Sequence, residues 1–106
     1  MINIIKQCKK EIAVFPEEVR EDLADALARL EEGHTLSMPL SRPMPSIGRG
    51  VHELRFRDRS GVYRVIYFLA GAGVIHLLHG FTKKTQQTPV QSIEIAKRRL
   101  RGEVNS

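Results

Sequence analysis

GVHELRFRDRSGVYRVIYFLAGAGVIHLLHGFTKKTQQTP, residues 50–89, decides how this chain folds. Three runs rich in Val, Ile, Leu and aromatic residues, Val51–Phe56, Val62–Leu69 and Val74–His79, read as strands, because such side chains suit a pleated, half-buried surface. The breaks between them, Asp58–Gly61 and Ala70–Gly73, supply the turn chemistry of two successive hairpins. The expectation is a three-stranded antiparallel meander. Its middle run is apolar at nearly every position, as suits a central strand covered on both faces. Arg64 is the single charge inside that run, and an isolated buried charge is prohibitive, so it either pairs or faces an open site. Counting back from the first turn places Glu53 near it. Outward positions add Arg55, Arg57, His79, Lys83 and Lys84 against Glu53 and Asp58 alone, which describes a cationic face suited to phosphate.

Upstream, Ile5, Cys8, Ile12 and Phe15 recur at helical spacing and predict an amphipathic helix within Met1–Phe15, with Met1–Ile5 able to begin as a short strand. Pro16 breaks it and suits the first position of a second helix, whose first turn carries Glu17 and Glu18. Val19, Leu23, Ala26, Leu27 and Leu30 form its apolar stripe, and Gly33 ends it. These two helices make a hairpin that needs the sheet as a partner. Residues 34–49, with Pro39, Pro43, Pro45 and Gly48, show no periodicity and read as a long connection. It either wraps the hairpin or brings Ser41 and Arg42 to a ligand. Downstream, Thr88 as N-cap, Pro89 and Gln91 predict a capping box opening a last helix with Val90, Ile93, Ala96 and Leu100 as its stripe. Lys97, Arg98, Arg99 and Arg101 close that helix, complementing its dipole or contacting nucleic acid. The fold class expected is α+β: an N-terminal helical hairpin packed on a small antiparallel meander, plus a C-terminal helix.

A length of 106 residues with 42% hydrophobic and 27% charged residues predicts one globular domain over residues 1–106. No apolar run approaches the ~18 residues of a membrane span, and Lys6, Lys9 and Lys10 fall inside the first apolar stretch rather than before it. A cytoplasmic protein is expected, with no membrane partner. Cys8 is the only cysteine, which excludes an intrachain disulfide and a cysteine-based metal site; its place on the apolar stripe predicts an inert thiol. Net charge is +5, unevenly placed: residues 1–48 carry six Lys/Arg against eight Asp/Glu, residues 49–106 eleven against four. That segregation favours an anionic partner, nucleic acid ahead of an acidic protein or an anionic membrane.

His34, His52, His76 and His79 lack the spacing of a zinc site, so no metal and no cofactor is expected. Neither glycine pair, Gly48/Gly50 nor Gly71/Gly73, opens a phosphate-binding loop, and Ser41, Ser46 and Ser60 sit in no nucleophile elbow. What remains is the Arg and Lys cluster with His79 nearby. RNA can be cleaved without a metal when its 2′-OH attacks the adjacent phosphate and cations stabilise the crowded transition state. A simple binder of RNA, DNA or an acidic protein would have the same cluster.

His52-Glu53-Leu54-Arg55, Gly61-Val62-Tyr63-Arg64-Val65-Ile66-Tyr67, Leu77 to Thr85 and Thr88-Pro89, in this order, resemble the phage-derived, HigB-like branch of the RelE/ParE toxin superfamily over roughly residues 10 to 101. The resemblance implies a RelE-like fold and the toxin of a type II toxin–antitoxin pair: a metal-independent, ribosome-dependent mRNA endoribonuclease that blocks translation. It implies Arg64, Lys83 and Lys84 as catalytic, with His79 added by proximity, and Arg55, Arg57, Arg59 and Phe81 as RNA-binding. The implied partners are a helix-turn-helix antitoxin, mRNA and the ribosome, with DNA reached only through the antitoxin complex. Two departures stand out. The chain starts too late for a full-length version of the strand that commonly precedes the first helix, and no Tyr stands near the start of the last helix to stack on a base, a task left to Phe81. Two other readings share the fold: a ParE-like gyrase inhibitor that cleaves nothing, and an inactive phage remnant that only binds an antitoxin, which a missing first strand would fit.

Overall fold

The computed structural model describes residues 1–83 and 87–104, with Val104 as backbone alone. In chain order the elements are β1 (Ile2–Ile4), α1 (Lys6–Ala13), α2 (Glu17–Glu31), β2 (Ser41–Pro43), β3 (Val51–Asp58), β4 (Gly61–Leu69), a 3₁₀ turn (Gly71–Gly73), β5 (Ile75–Lys83) and α3 (Val90–Val104). The expected class, α+β, is what is found. The meander of β3, β4 and β5 is also present, as the middle of a larger sheet ordered β1-β5-β4-β3-β2.

Of the two outer strands, β1 is the short strand allowed within Met1–Ile5, and β2 is a correction to the sequence expectation. A strand does precede the first helix: β1 runs parallel to β5, with Ile2 opposite Ile75 and Ile4 opposite Leu77, so the sheet is mixed and the elements begin with a strand. The argument for a remnant that lacks this strand therefore falls. Residues 34–49 are not a structureless connection either, since β2 pairs antiparallel with β3, Ser41 opposite Leu54 and Pro43 opposite His52. Leu36, Met44 and Ile47 from this segment are buried. Each outer strand has only three residues, too few to show alternation in sequence.

Local chemistry explains most boundaries. Gly33, at φ +89°, closes α2: its N–H donates to Leu30 O at 3.0 Å and the His34 N–H to Arg29 O at 3.0 Å. This is the paired bonding that satisfies orphan carbonyls at a helix end. The β3–β4 turn is held by Asp58, whose Oδ1 accepts the Ser60 N–H at 2.8 Å and the Gly61 N–H at 3.2 Å. The third strand runs on to Lys83, past the expected end at His79. At the other end α3 starts at Val90, one residue after Pro89, and Val90 is 74% exposed rather than part of the stripe.

The sheet is buried on both faces. Against α1 and α2 pack Leu54, Phe56, Tyr63, Val65, Tyr67 and Leu77, meeting Cys8, Phe15, Val19, Leu23 and Leu30. On the opposite face Val51, Ile66 and Leu78 meet Met44, Ile47 and Ala96, with Phe68, Phe81, Ile93 and Leu100 around them. The two faces use alternate residues of β4, which explains why that strand looked continuously apolar. Among the described residues no helix is long and apolar enough to cross a membrane.

Candidate functional site

Strand register builds the site. Arg55 lies opposite Arg64, and Arg64 opposite Phe81; Val62 lies opposite both Arg57 and Lys83; Glu53 lies opposite both Ile66 and Arg42. Residues directly opposite share a face, as do residues two apart along a strand. Arg42, Glu53, Arg55, Arg57, Arg64, Phe81 and Lys83 are therefore brought to one face, the same face that α3 covers further along. Its covered part is the apolar cluster under α3, and the remainder carries the cations. An open groove of about 320 Å³ there is lined by Pro39, Arg55, Phe56, Arg57 and Arg64.

At the centre Arg64 and Lys83 are almost fully covered, at 6% and 5% exposure, whereas Arg57 and Arg42 are exposed. Arg64 Nε stands 3.4 Å from Glu53 Oε1, so the pair that the register count anticipated is present. Neither of those two atoms makes a hydrogen bond, however, and the ion pair is loose. Glu53 is itself completely buried, and its Oε2 accepts the Thr88 hydroxyl proton at 2.7 Å. The Thr88 hydroxyl thus binds the sheet, two residues before the first residue of α3. Burial lowers the Lys83 pKa, and Arg64, Arg55 and Arg42 lower it further against partial relief from Glu53. Arg64 is shifted down for the same reasons, burial first, with Glu53 opposing and Arg55, Arg57 and Arg42 adding to it.

His79 is placed differently. Its Nδ1 lies 3.0 Å from Glu11 Oε1 and its Nε2 lies 3.3 Å from Ser92 Oγ, so both ring nitrogens have protein partners. Glu11 reaches over from α1 to the part of β5 beyond β1. Its Oε1 accepts the Gly80 N–H at 3.1 Å, and its carboxylate receives the Arg99 guanidinium at 2.8 and 3.1 Å. Arg99 also donates to Leu78 O at 2.9 Å. This network caps the free edge of β5 and fastens α1, β5 and α3 together. Burial pushes the His79 pKa below its ordinary value of 6.5, a shift the Glu11 contact only partly opposes. Burial alone would raise Glu11, but Arg99, the Gly80 N–H and His79 outweigh it and hold its carboxyl below the ordinary value.

Phe81, half-buried, stacks on His79 with ring centroids 5.0 Å apart and separates it from Arg64 along the face. Arg59 sits exposed at the tip of the β3–β4 turn, off the face. Lys84 lies outside the described residues. Cys8 is fully buried, and burial pushes its thiol up to about 12, in keeping with an inert role. Ser41 is buried with its hydroxyl 2.6 Å from Tyr67, which leaves Arg42 as the exposed member of that pair. A second cavity of about 300 Å³, between the end of α2 and the β4–β5 turn, is lined by Leu30, His34, Leu36, His52, Tyr67 and Ile75 among others and by none of the site's cations.

Sequence reasoning missed Glu11, Thr88, Ser92 and Arg99 as site-shaping residues. Arg99 did carry a signal, because Ser92, Ala96 and Arg99 fall on one helical face, and a charge on a buried stripe asks for a partner. Glu11 gave none, for its partners stand 68 and 88 residues away.

The structure defines an α+β protein whose five-stranded sheet gathers Arg42, Arg55, Arg57, Arg64 and Lys83 on one face beside α3. Residues 10–101 match the family described as phage derived protein Gp49-like (DUF891), and the chain belongs to that family, which is related to the toxins of toxin–antitoxin systems. Comparison with curated protein sequences gives no match.

Proposed function

We propose that this protein is the toxin of a type II toxin–antitoxin pair, a HigB-like member with a RelE-like arrangement, and that it cleaves mRNA on the ribosome without a metal. The observation that supports this best is the covered Arg64–Lys83 pair set among Arg42, Arg55 and Arg57 on an otherwise open face. Cations surrounded by low-dielectric protein act far more strongly on a phosphate than exposed ones do. The 2′-OH of the bound message attacks its own 3′ phosphate, the P–O5′ bond breaks, and the fragments end in a 2′,3′-cyclic phosphate and a 5′-OH. Arg64 supplies the planar fork for the phosphate oxygens. Lys83, its pKa lowered, is suited to exchanging a proton with the attacking or leaving oxygen. Phe81 offers the face of a ring to a splayed base, and Arg55 and Arg57 hold the backbone beside it. The protein works in the cytoplasm, and a helix-turn-helix antitoxin is its partner.

The test is inducible expression of wild type, Arg64→Lys and Lys83→Gln, with growth and mRNA 5′ ends followed together. Arg64→Ala is a poor probe, because it strands the buried Glu53 carboxylate and costs about 3–5 kcal/mol of stability. Growth arrest with new 5′ ends in the wild type, lost in both variants, is the expected result. Arrest with intact mRNA transfers the target to gyrase or another protein, and no arrest removes the toxin reading.

A further inference from the structure

Glu53 is fully buried in the cationic part of the face and contacts both Arg64 and Thr88. One carboxylate oxygen lies 3.4 Å from Arg64 Nε without a hydrogen bond, and the other accepts the Thr88 hydroxyl at 2.7 Å. A buried ion pair is weak evidence of a purely stabilising role, since apolar packing serves as well or better. The contact to Arg64 is at Nε, the inner nitrogen of the guanidinium, whereas bidentate phosphate binding uses a pair of N–H groups that includes a terminal nitrogen.

We infer that Glu53 is a positioning residue: its carboxylate fixes the Arg64 guanidinium at the groove and, through Thr88, ties the approach to α3 to that arginine. The catalytic consequence rests on the endoribonuclease reading. Glu53 also offsets the mutual repulsion of Arg64, Lys83, Arg55 and Arg42. Neutralising it therefore acts in two opposite directions. Attraction for RNA increases because a negative charge is gone, while the orientation of Arg64 is lost. Binding and catalysis must then separate, which a general loss of structure would not produce.

The experiment compares purified wild type, Glu53→Gln and Thr88→Val in three measurements. These are thermal melting, anisotropy with a fluorescein-labelled 2′-O-methyl RNA oligonucleotide that cannot be cleaved, and cleavage of a defined message on programmed ribosomes across protein concentrations. Glu53→Gln is expected to melt cooperatively and to bind the oligonucleotide at least as tightly as wild type. Its maximal cleavage rate should fall on the order of 100-fold, the effect of misplacing a catalytic group by about 1 Å. Thr88→Val, which removes one hydrogen bond to a charged group, should lose about 10-fold with RNA binding unchanged. A wild-type maximal rate in folded Glu53→Gln overturns the inference, and so does weaker RNA binding that accounts for the whole loss. If Glu53→Gln does not melt cooperatively, an unchanged maximal rate in Thr88→Val overturns it instead. Should the wild type cleave nothing, the endoribonuclease reading falls by itself; weaker oligonucleotide binding by Glu53→Gln then overturns the positioning role as well, and equal or tighter binding upholds it.

Discussion

His79 and Glu11 both have pKa values held below their ordinary values of 6.5 and 4.5. For a histidine lowered in the folded state, the unfolded chain takes up a proton first, so stability is complete above pH 6.5 and declines as pH falls through the lowered value. For the lowered glutamate the corresponding loss begins below 4.5. Both act in one direction, and acidification from pH 7 to pH 4 is expected to lower the melting temperature in two stages. His79→Gln should shrink the first stage and leave the second, with His52, also lowered by burial, supplying what remains of the first, as thermal melts across pH will read. A melting temperature unchanged between pH 7 and 5 contradicts this account of the β5 edge. At this scale the sequence was half legible. Arg64 announced itself as a lone charge in an apolar run, and its register to Glu53 followed from the turn. Thr88 was read as a helix cap, because its local pattern fits one, and its hydroxyl binds a carboxylate 35 residues away.

Gly80 shows how tightly the elements approach one another. A Cβ built there would meet Ile12 Cγ1 at 3.1 Å and Phe15 Cζ at 3.3 Å, because α1 lies directly on β5 where Glu11 takes the Gly80 N–H. Gly80→Ala is expected to destabilise by about 1–3 kcal/mol, the usual range for overpacking. Chemical denaturation gives that number, and a neutral effect would mean that α1 is free to shift. The helices and the three inner strands were readable because each carries enough apolar residues to show its period. The α2 stripe of Val19, Leu23, Ala26, Leu27 and Leu30 is buried at all five positions. In contrast β1 and β2 exist only through their neighbours. The three residues of β1 are specified by the open side of β5, and those of β2 by the edge of β3. Val90 failed for the opposite reason: it has the right spacing but is the first residue of α3 and stands exposed.

Charge segregation along the chain is kept only in part in space, since Asp22 and Asp25 of α2 line one groove with Arg55 and Arg57. Glu17, Glu18, Glu21, Asp22 and Asp25 are exposed along α2, which packs on the sheet face away from α3. The cations Arg42, Arg55, Arg57, Arg64 and Lys83 share the other face. The cluster of cations on that face favours a polyanion there. If three to five of these cations each neutralise a phosphate, affinity for single-stranded RNA should fall with salt at a log–log slope of about −2 to −3.5. A slope near zero would mean that the face is not where RNA binds.

In the proposed function Arg64 acts as a phosphate-binding fork rather than as a structural ion-pair partner. Arg64→Lys separates the two roles, because lysine keeps a positive charge beside Glu53 but loses the planar pair of donors. The most direct measurement is the maximal cleavage rate of a defined message on programmed ribosomes by purified wild type and Arg64→Lys, with melting temperatures taken on the same preparations. Arg64→Lys is expected to melt close to wild type and to cleave on the order of 100-fold more slowly. An Arg64→Lys protein that is folded and cleaves at the wild-type rate would contradict the fork role.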